Sequence, residues 1–86
     1  MANHKSALKR QRRDERRRVI NLNRLNRIRT FIKRVQAAVL SGNKEEATKQ
    51  FNLAQPEIMR GASKGVIAKN TAARRISRLS AKIKAL

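Results

Sequence analysis

Leu25-Asn26-Arg27-Ile28-Arg29-Thr30-Phe31-Ile32-Lys33-Arg34-Val35-Gln36-Ala37-Ala38-Val39-Leu40-Ser41-Gly42-Asn43-Lys44-Glu45-Glu46 is the stretch from which the fold is read. Leu25, Ile28, Ile32, Val35 and Val39 recur at spacings of three and four, and Phe31 and Ala38 widen the same face. An apolar stripe that broad is what a helix packed in a bundle needs, rather than the narrower seam of a two-stranded coil. Ser41-Gly42-Asn43 then ends the helix. Gly42 can take the left-handed conformation that closes a C-terminus, and Asn43 can cap the next helix with Glu46 three residues on. Glu45 and Glu46 stand in that helix's first turn, where the macrodipole favours negative charge.

Outward from this corner, Ala47, Phe51, Ala54 and Ile58 mark a second helix at spacings of four, three and four. Pro56 removes a backbone donor inside it. Either the helix kinks there and resumes through Met59 and Ala62, or it stops at Ala54. Gly65 is the expected terminator. A third helix beginning near Lys69 or Asn70 carries Ala72, Ile76, Leu79, Ile83 and Leu86. No alternating run bounded by turn residues suggests a strand. Eighty-six residues make one domain. The expected fold is all-α: an antiparallel three-helix bundle over 19–86, with the long basic N-terminal helix extending beyond it as an arm over 1–18.

Charge dominates the composition. Twenty-three Lys and Arg against five Asp and Glu give a net charge of +18 and a pI near 12.0. Residues 1–34 carry net +11, residues 35–62 carry zero, and residues 63–86 carry +7. A neutral middle between two basic ends implies a shaped surface for a polyanion. In the arm, Lys5, Lys9, Arg12 and Arg16 form one helical stripe and Arg10, Arg13 and Arg17 a second. That segment has no apolar face to bury, and its like charges at i,i+4 repel. The arm is therefore expected to fray in the free chain and to order on its partner. Further along, Arg24, Arg27, Arg29, Lys33 and Arg34 lie on or beside the remaining surface of the first helix, and Arg75, Arg78 and Lys82 line the third beside its apolar seam, with Arg74 just beyond.

Catalysis has little to work with. His4 is the one histidine, there is no cysteine, and neither a nucleophile beside a base nor a phosphate-binding glycine loop is present. The adjacent acids Asp14-Glu15 and Glu45-Glu46 diverge by about 100° on a helix. The reading is of a non-enzyme with no cofactor, metal or small-molecule substrate. Phe31 and Phe51 both fall on apolar stripes, so no aromatic platform is left for unstacked bases. Fourteen arginines and nine lysines instead suit phosphates and 2′-hydroxyls of folded RNA. A histone-like, DNA-compacting protein is the rival reading. A membrane-surface helix is disfavoured, because the most basic segment lacks an apolar face. No apolar run approaches the length that crosses a bilayer, and a cytoplasmic location is expected.

The residues resemble the bacterial small-subunit ribosomal protein S20 family. Met1-Ala2-Asn3-His4-Lys5-Ser6-Ala7 with Lys9-Arg10 is similar to its N-terminus, and Arg29-Thr30-Phe31-Ile32-Lys33 to its first-helix core. Lys64-Gly65-Val66-Ile67-Ala68-Lys69-Asn70 with Ala72-Ala73-Arg74 resembles the turn into its last helix, and Gln55-Pro56 its mid-helix proline. The resemblance implies a three-helix bundle without catalytic activity that binds small-subunit ribosomal RNA directly during assembly, needing few or no protein neighbours. It also implies RNA contacts at Lys5, Lys9, Arg10, Lys33, Lys64, Lys69, Asn70 and Arg74. Ala68 departs from the histidine frequent at that place, so any RNA hydrogen bond made there should be missing.

Overall fold

The structure, a computed structural model, describes the backbone of residues 2–86 and the side chains from Ser6 onward. Three helices and no strand occur among the described residues: α1 (Ala2–Leu40), α2 (Lys44–Ser63) and α3 (Lys69–Lys84). The two corners are built as the glycines suggest. At the first, Gly42 has φ +76°, its N–H donates to the Val39 carbonyl at 3.0 Å, and the Asn43 N–H donates to Ala38 at 3.3 Å. Gly65 repeats the arrangement at φ +75°, donating to Ala62 at 3.1 Å while Val66 donates to Gly61 at 2.9 Å. Both are Schellman closures, which satisfy carbonyls that a helix end otherwise leaves open. Asn43 Oδ1 accepts from the Glu46 amide at 3.1 Å, so Asn43 caps α2. The Glu46 carboxylate does not complete a reciprocal box in this geometry; it accepts from Gln50 Nε2 at 2.8 Å.

α2 runs through Pro56 without ending, which decides between the two readings left open by the sequence. Pro56 and Asn52, whose carbonyl loses an amide partner, are both exposed, so water can take the missing donor's place. The core consists of Ile28, Ile32, Val35 and Ala38 from α1, Ala47, Ala54 and Ile58 from α2, and Ala72, Leu79 and Ile83 from α3. Phe31, Val39, Phe51, Ala62, Ile67 and Ile76 pack around it half-buried. Ala47, Ala54 and Gly61, seven residues apart, give α2 a face of small side chains on which α1 can lie closely. At Gly61 the approach is such that an added Cβ would collide with Ile28 Cδ1. Two expected core positions are not core. Leu25 is half-buried outside the cluster, and Leu86 lies beyond the end of α3, 40% exposed, where no helical turn returns it to the seam.

The corner at 41–43 joins α1 to α2, and Arg27 and Ile28 before it meet Glu57 and Gly61 after it, so α2 runs back antiparallel along α1, and α3 folds back along α2. At about 1.5 Å per residue, α1 is about 58 Å long and α2 about 30 Å. The molecule measures 63 × 20 × 14 Å, with a radius of gyration of 17.6 Å. A compact chain of this length would have about 12 Å. The excess is the N-terminal half of α1, where every described side chain from Ser6 to Asn23 is exposed. That stretch is helical here, although its sequence provides no face to bury. Among its described residues the one ion pair is local: Arg18 reaches back to Glu15 at 2.8 Å. The pair holds the Glu15 carboxyl below its ordinary value, mainly through the hydrogen bond from Arg18 and then through its charge.

Candidate nucleic-acid interface

The helical repeat sorts the cations of α1 by face. Lys9, Arg13, Arg16, Ile20, Arg24, Arg27, Phe31 and Arg34 follow one another at three or four residues, forming a single flank along about 37 Å of helix. The sequence reading divided these groups between an arm and a bundle; on the helix they are continuous. Arg10, Arg13, Arg17 and Arg24 also continue the line of Ile28, Ile32 and Val35. Where α1 outgrows its partners, the face that elsewhere packs the core is therefore arginine. Such a face cannot extend the bundle, but it can lie against phosphates.

Three grooves collect these side chains. The first, 340 Å³, lies on the arm between Ser6, Lys9, Arg10, Arg13 and Arg16. The second, 450 Å³, lies where α1 meets the C-terminal half of α2, lined by Ile20, Asn23, Arg24, Arg27, Glu57, Arg60 and Lys64. The third, 410 Å³, lies between α1 and α3, where Arg74, Arg75, Arg78 and Lys82 surround Ile32, Gln36, Thr71 and Leu79. Arg74, which the spacing put just beyond the α3 stripe, belongs to the same groove as the other three. Ile32 and Gln36 lie on one side of the α1 seam and Arg24 and Arg27 on the other, so the second and third grooves flank the bundle on opposite sides.

The other expected positions are scattered. Arg12 and Lys33 are exposed on the back of α1, away from these grooves, and Arg17 is exposed on the arm. Arg34 sits over the Phe31 ring at 5.4 Å, with Arg27 over the same ring at 5.9 Å. Each guanidinium thus gains a cation–π contact from a phenylalanine the sequence assigned to the core. Lys69 and Asn70 occupy the exposed first turn of α3. Ala68 is that helix's N-cap and makes no side-chain hydrogen bond, so its amides are left for another acceptor. The Lys5 side chain lies outside the described residues.

Sequence reasoning missed Glu57 and Arg60. Glu57 is only 8% exposed, and its Oε1 meets Arg60 Nη1 at 2.9 Å and Arg27 Nη2 at 3.3 Å. Arg60 falls in the neutral middle of the chain, where no run of like charge draws attention to it. The Glu57-x-x-Arg60 spacing was the available signal. Among the described residues no group of three His, Cys, Asp or Glu side chains could hold a metal ion, and no helix is long and apolar enough to cross a membrane.

An all-α chain whose small core carries cationic grooves on opposite sides, with a helix far longer than its partners, belongs to the class of basic helical proteins shaped to lie against a large polyanion. The comparisons with known proteins narrow that class. The profile of the family described as Ribosomal protein S20 matches residues 2–84. A small ribosomal subunit protein bS20 of Rhodospirillum rubrum is 57% identical over all of this chain and 98% of its own length. That of Gluconobacter oxydans is 57% identical, covering 97% of its length, and that of Mesorhizobium japonicum 51%, covering 98%. The chain belongs to the ribosomal protein S20 family, a family of structural ribosomal proteins and not of enzymes.

Proposed function

We propose that this chain binds small-subunit ribosomal RNA directly, through phosphate and sugar contacts, and thereby aids assembly of the small subunit in the cytoplasm. The observation that carries the proposal is the grouping of cations into grooves on both sides of one bundle and along its overhang. The relatives' name as small ribosomal subunit proteins supplies the particle. Lys9, Arg10, Arg12, Arg13, Arg16 and Arg17 meet RNA along the arm, with Lys5 preceding them. Arg24, Arg27, Lys33, Arg34 and Lys64 meet it beside α1, and Lys69, Asn70, Arg74, Arg75, Arg78 and Lys82 along α3. These groups contact the backbone more than base edges, because guanidinium and ammonium side chains fit phosphate oxygens and the exposed face offers no aromatic platform.

Residues 1–18 act as an arm whose helix is held by the bound RNA, and residues 19–86 as the bundle that anchors it. Neutralising the arm's stacked cations removes the repulsion that opposes helix in the free chain. Competition between a folded small-subunit ribosomal RNA transcript and duplex DNA of equal length, at moderate salt, tests the assignment. Preference for the RNA is expected, and equal affinity would instead favour a DNA-compacting role. Removing residues 1–18 should lower both the RNA affinity and its salt dependence; an unchanged affinity would make the arm a bystander.

A further inference from the structure

We infer that Glu57 is a positioning residue for a phosphate clamp: its buried carboxylate holds Arg27 and Arg60 as a pair of guanidiniums across the groove between α1 and α2, and that pair takes one backbone phosphate of the bound RNA. The inference rests on the RNA-binding reading above and names a site within it. Glu57 is the one buried charged residue among those described, with its side chain 10% exposed. The two arginines it holds are 64% and 61% exposed. Both reach the same oxygen, Oε1, and each does so through a single terminal nitrogen: Nη2 of Arg27 at 3.3 Å and Nη1 of Arg60 at 2.9 Å. A guanidinium has five N–H donors in a fixed planar fork, so each retains donors that face the groove.

Charge in the groove is not cancelled by the pairing. One carboxylate faces four cations, Arg24, Arg27, Arg60 and Lys64, around a space of 450 Å³. Arg27 is held a second time, over the Phe31 ring at 5.9 Å. An exposed arginine ordinarily surrenders rotamer freedom on binding a ligand; one fixed beforehand by a buried acid and an aromatic ring surrenders less. The site also stands on the cationic flank of α1, at the stretch where α2 adds a second wall. A phosphate there is gripped from two helices, whereas on the arm it meets one.

A sign difference separates this role from simple satisfaction of a buried acid. Glu57→Gln raises the net charge by one unit, and charge alone would then strengthen RNA binding. Loss of the clamp instead weakens it. Affinity for a folded small-subunit ribosomal RNA transcript should be measured by filter binding across a salt series for the full-length wild type, Glu57→Gln, Arg60→Lys and the double variant, with circular dichroism to establish folding. Glu57→Gln should bind about tenfold more weakly, as expected when the ion pair to Arg27 and the charged hydrogen bond from Arg60 are lost. Its salt slope should be shallower by about 0.7–0.9, one phosphate's worth. Arg60→Lys, which keeps the charge but loses the fork, should also weaken binding, and the double variant should be little worse than Glu57→Gln alone. Should Glu57→Gln fail to fold, Arg60→Lys at its exposed position decides the matter. A wild type that does not bind the RNA overturns both the RNA reading and the clamp. If the wild type binds and the folded variants bind as well or better, the clamp alone is overturned.

Discussion

Ile58 is fully buried between the helices, at 0% exposed, so its truncation measures how much core this chain can spare. Ile→Ala at a closed site costs about 2–5 kcal/mol, from lost transfer energy and the cavity left behind. Small domains are stable by roughly 0.05–0.15 kcal/mol per residue, or about 4–13 kcal/mol for a chain of this length. The substitution therefore consumes a large share of the total. Each kcal/mol moves the midpoint of a domain this size by about 4–8 °C, so Ile58→Ala should melt at least about 8 °C below the wild type. A ligand that binds only the folded state restores stability by mass action, about 2.7 kcal/mol at a hundred times its dissociation constant. With folded ribosomal RNA at that excess, Ile58→Ala should regain about 10–20 °C of midpoint. Thermal melts followed by circular dichroism, at low salt and with the RNA baseline subtracted, read both effects. A loss below about 3 °C would place Ile58 outside any closed core. A full loss that RNA leaves untouched would mean that RNA does not select the folded bundle.

Ile32→Asp places a carboxylate among Ile28, Val35 and Leu79, where the wild-type residue is 7% exposed, and should abolish the cooperative melt at neutral pH; a sharp transition near the wild-type midpoint would refute the packing. Asn43→Ala removes the acceptor for the Glu46 amide and should cost about 1 kcal/mol, seen as a lower midpoint with unchanged RNA contacts. The Glu15–Arg18 pair gives the arm a pH dependence. Because Glu15 is lowered from its ordinary 4.5, the support it gives is fully present above that value and is lost as the pH falls through the lowered one. Helicity reported by a labelled arm should therefore fall on acidification below the ordinary carboxylate range, and Glu15→Gln should remove that step.

Much of the fold was written in periodicity. The stripes through Ile28 and Val35, Ala47 and Ile58, and Ala72 and Leu79 needed only the helical repeat to be seen, and Gly42 and Gly65 marked the corners by their conformational freedom. Pro56 stayed ambiguous because its cost depends on whether the freed carbonyl can reach water, and that depends on which way the residue faces. Leu86 extended the pattern arithmetically but lies past the last turn. The grooves were the least legible part. They form between helices, and their composition follows from which stretch of α1 faces which stretch of α2 or α3. Arg60 lies in a segment of zero net charge, where only its spacing from Glu57 points to it, and the burial of Glu57 against two arginines follows from packing. The continuity of Lys9 through Arg34 along one flank could be computed from the sequence, yet it gains meaning only once the opposite flank is seen to hold α3.

Twelve cations surround the three grooves: Lys9, Arg10, Arg13 and Arg16; Arg24, Arg27, Arg60 and Lys64; Arg74, Arg75, Arg78 and Lys82. If Arg27 and Arg60 share one phosphate and each of the other cations neutralises one, the logarithm of the RNA binding constant should fall against the logarithm of salt concentration with a slope of about −8 to −10. A titration of the intact chain against folded small-subunit ribosomal RNA between low and moderate salt yields that slope directly. A steep value in this range is expected. A slope near about −2 would mean that most of the positive surface touches nothing, and that RNA is not what this bundle is shaped to hold.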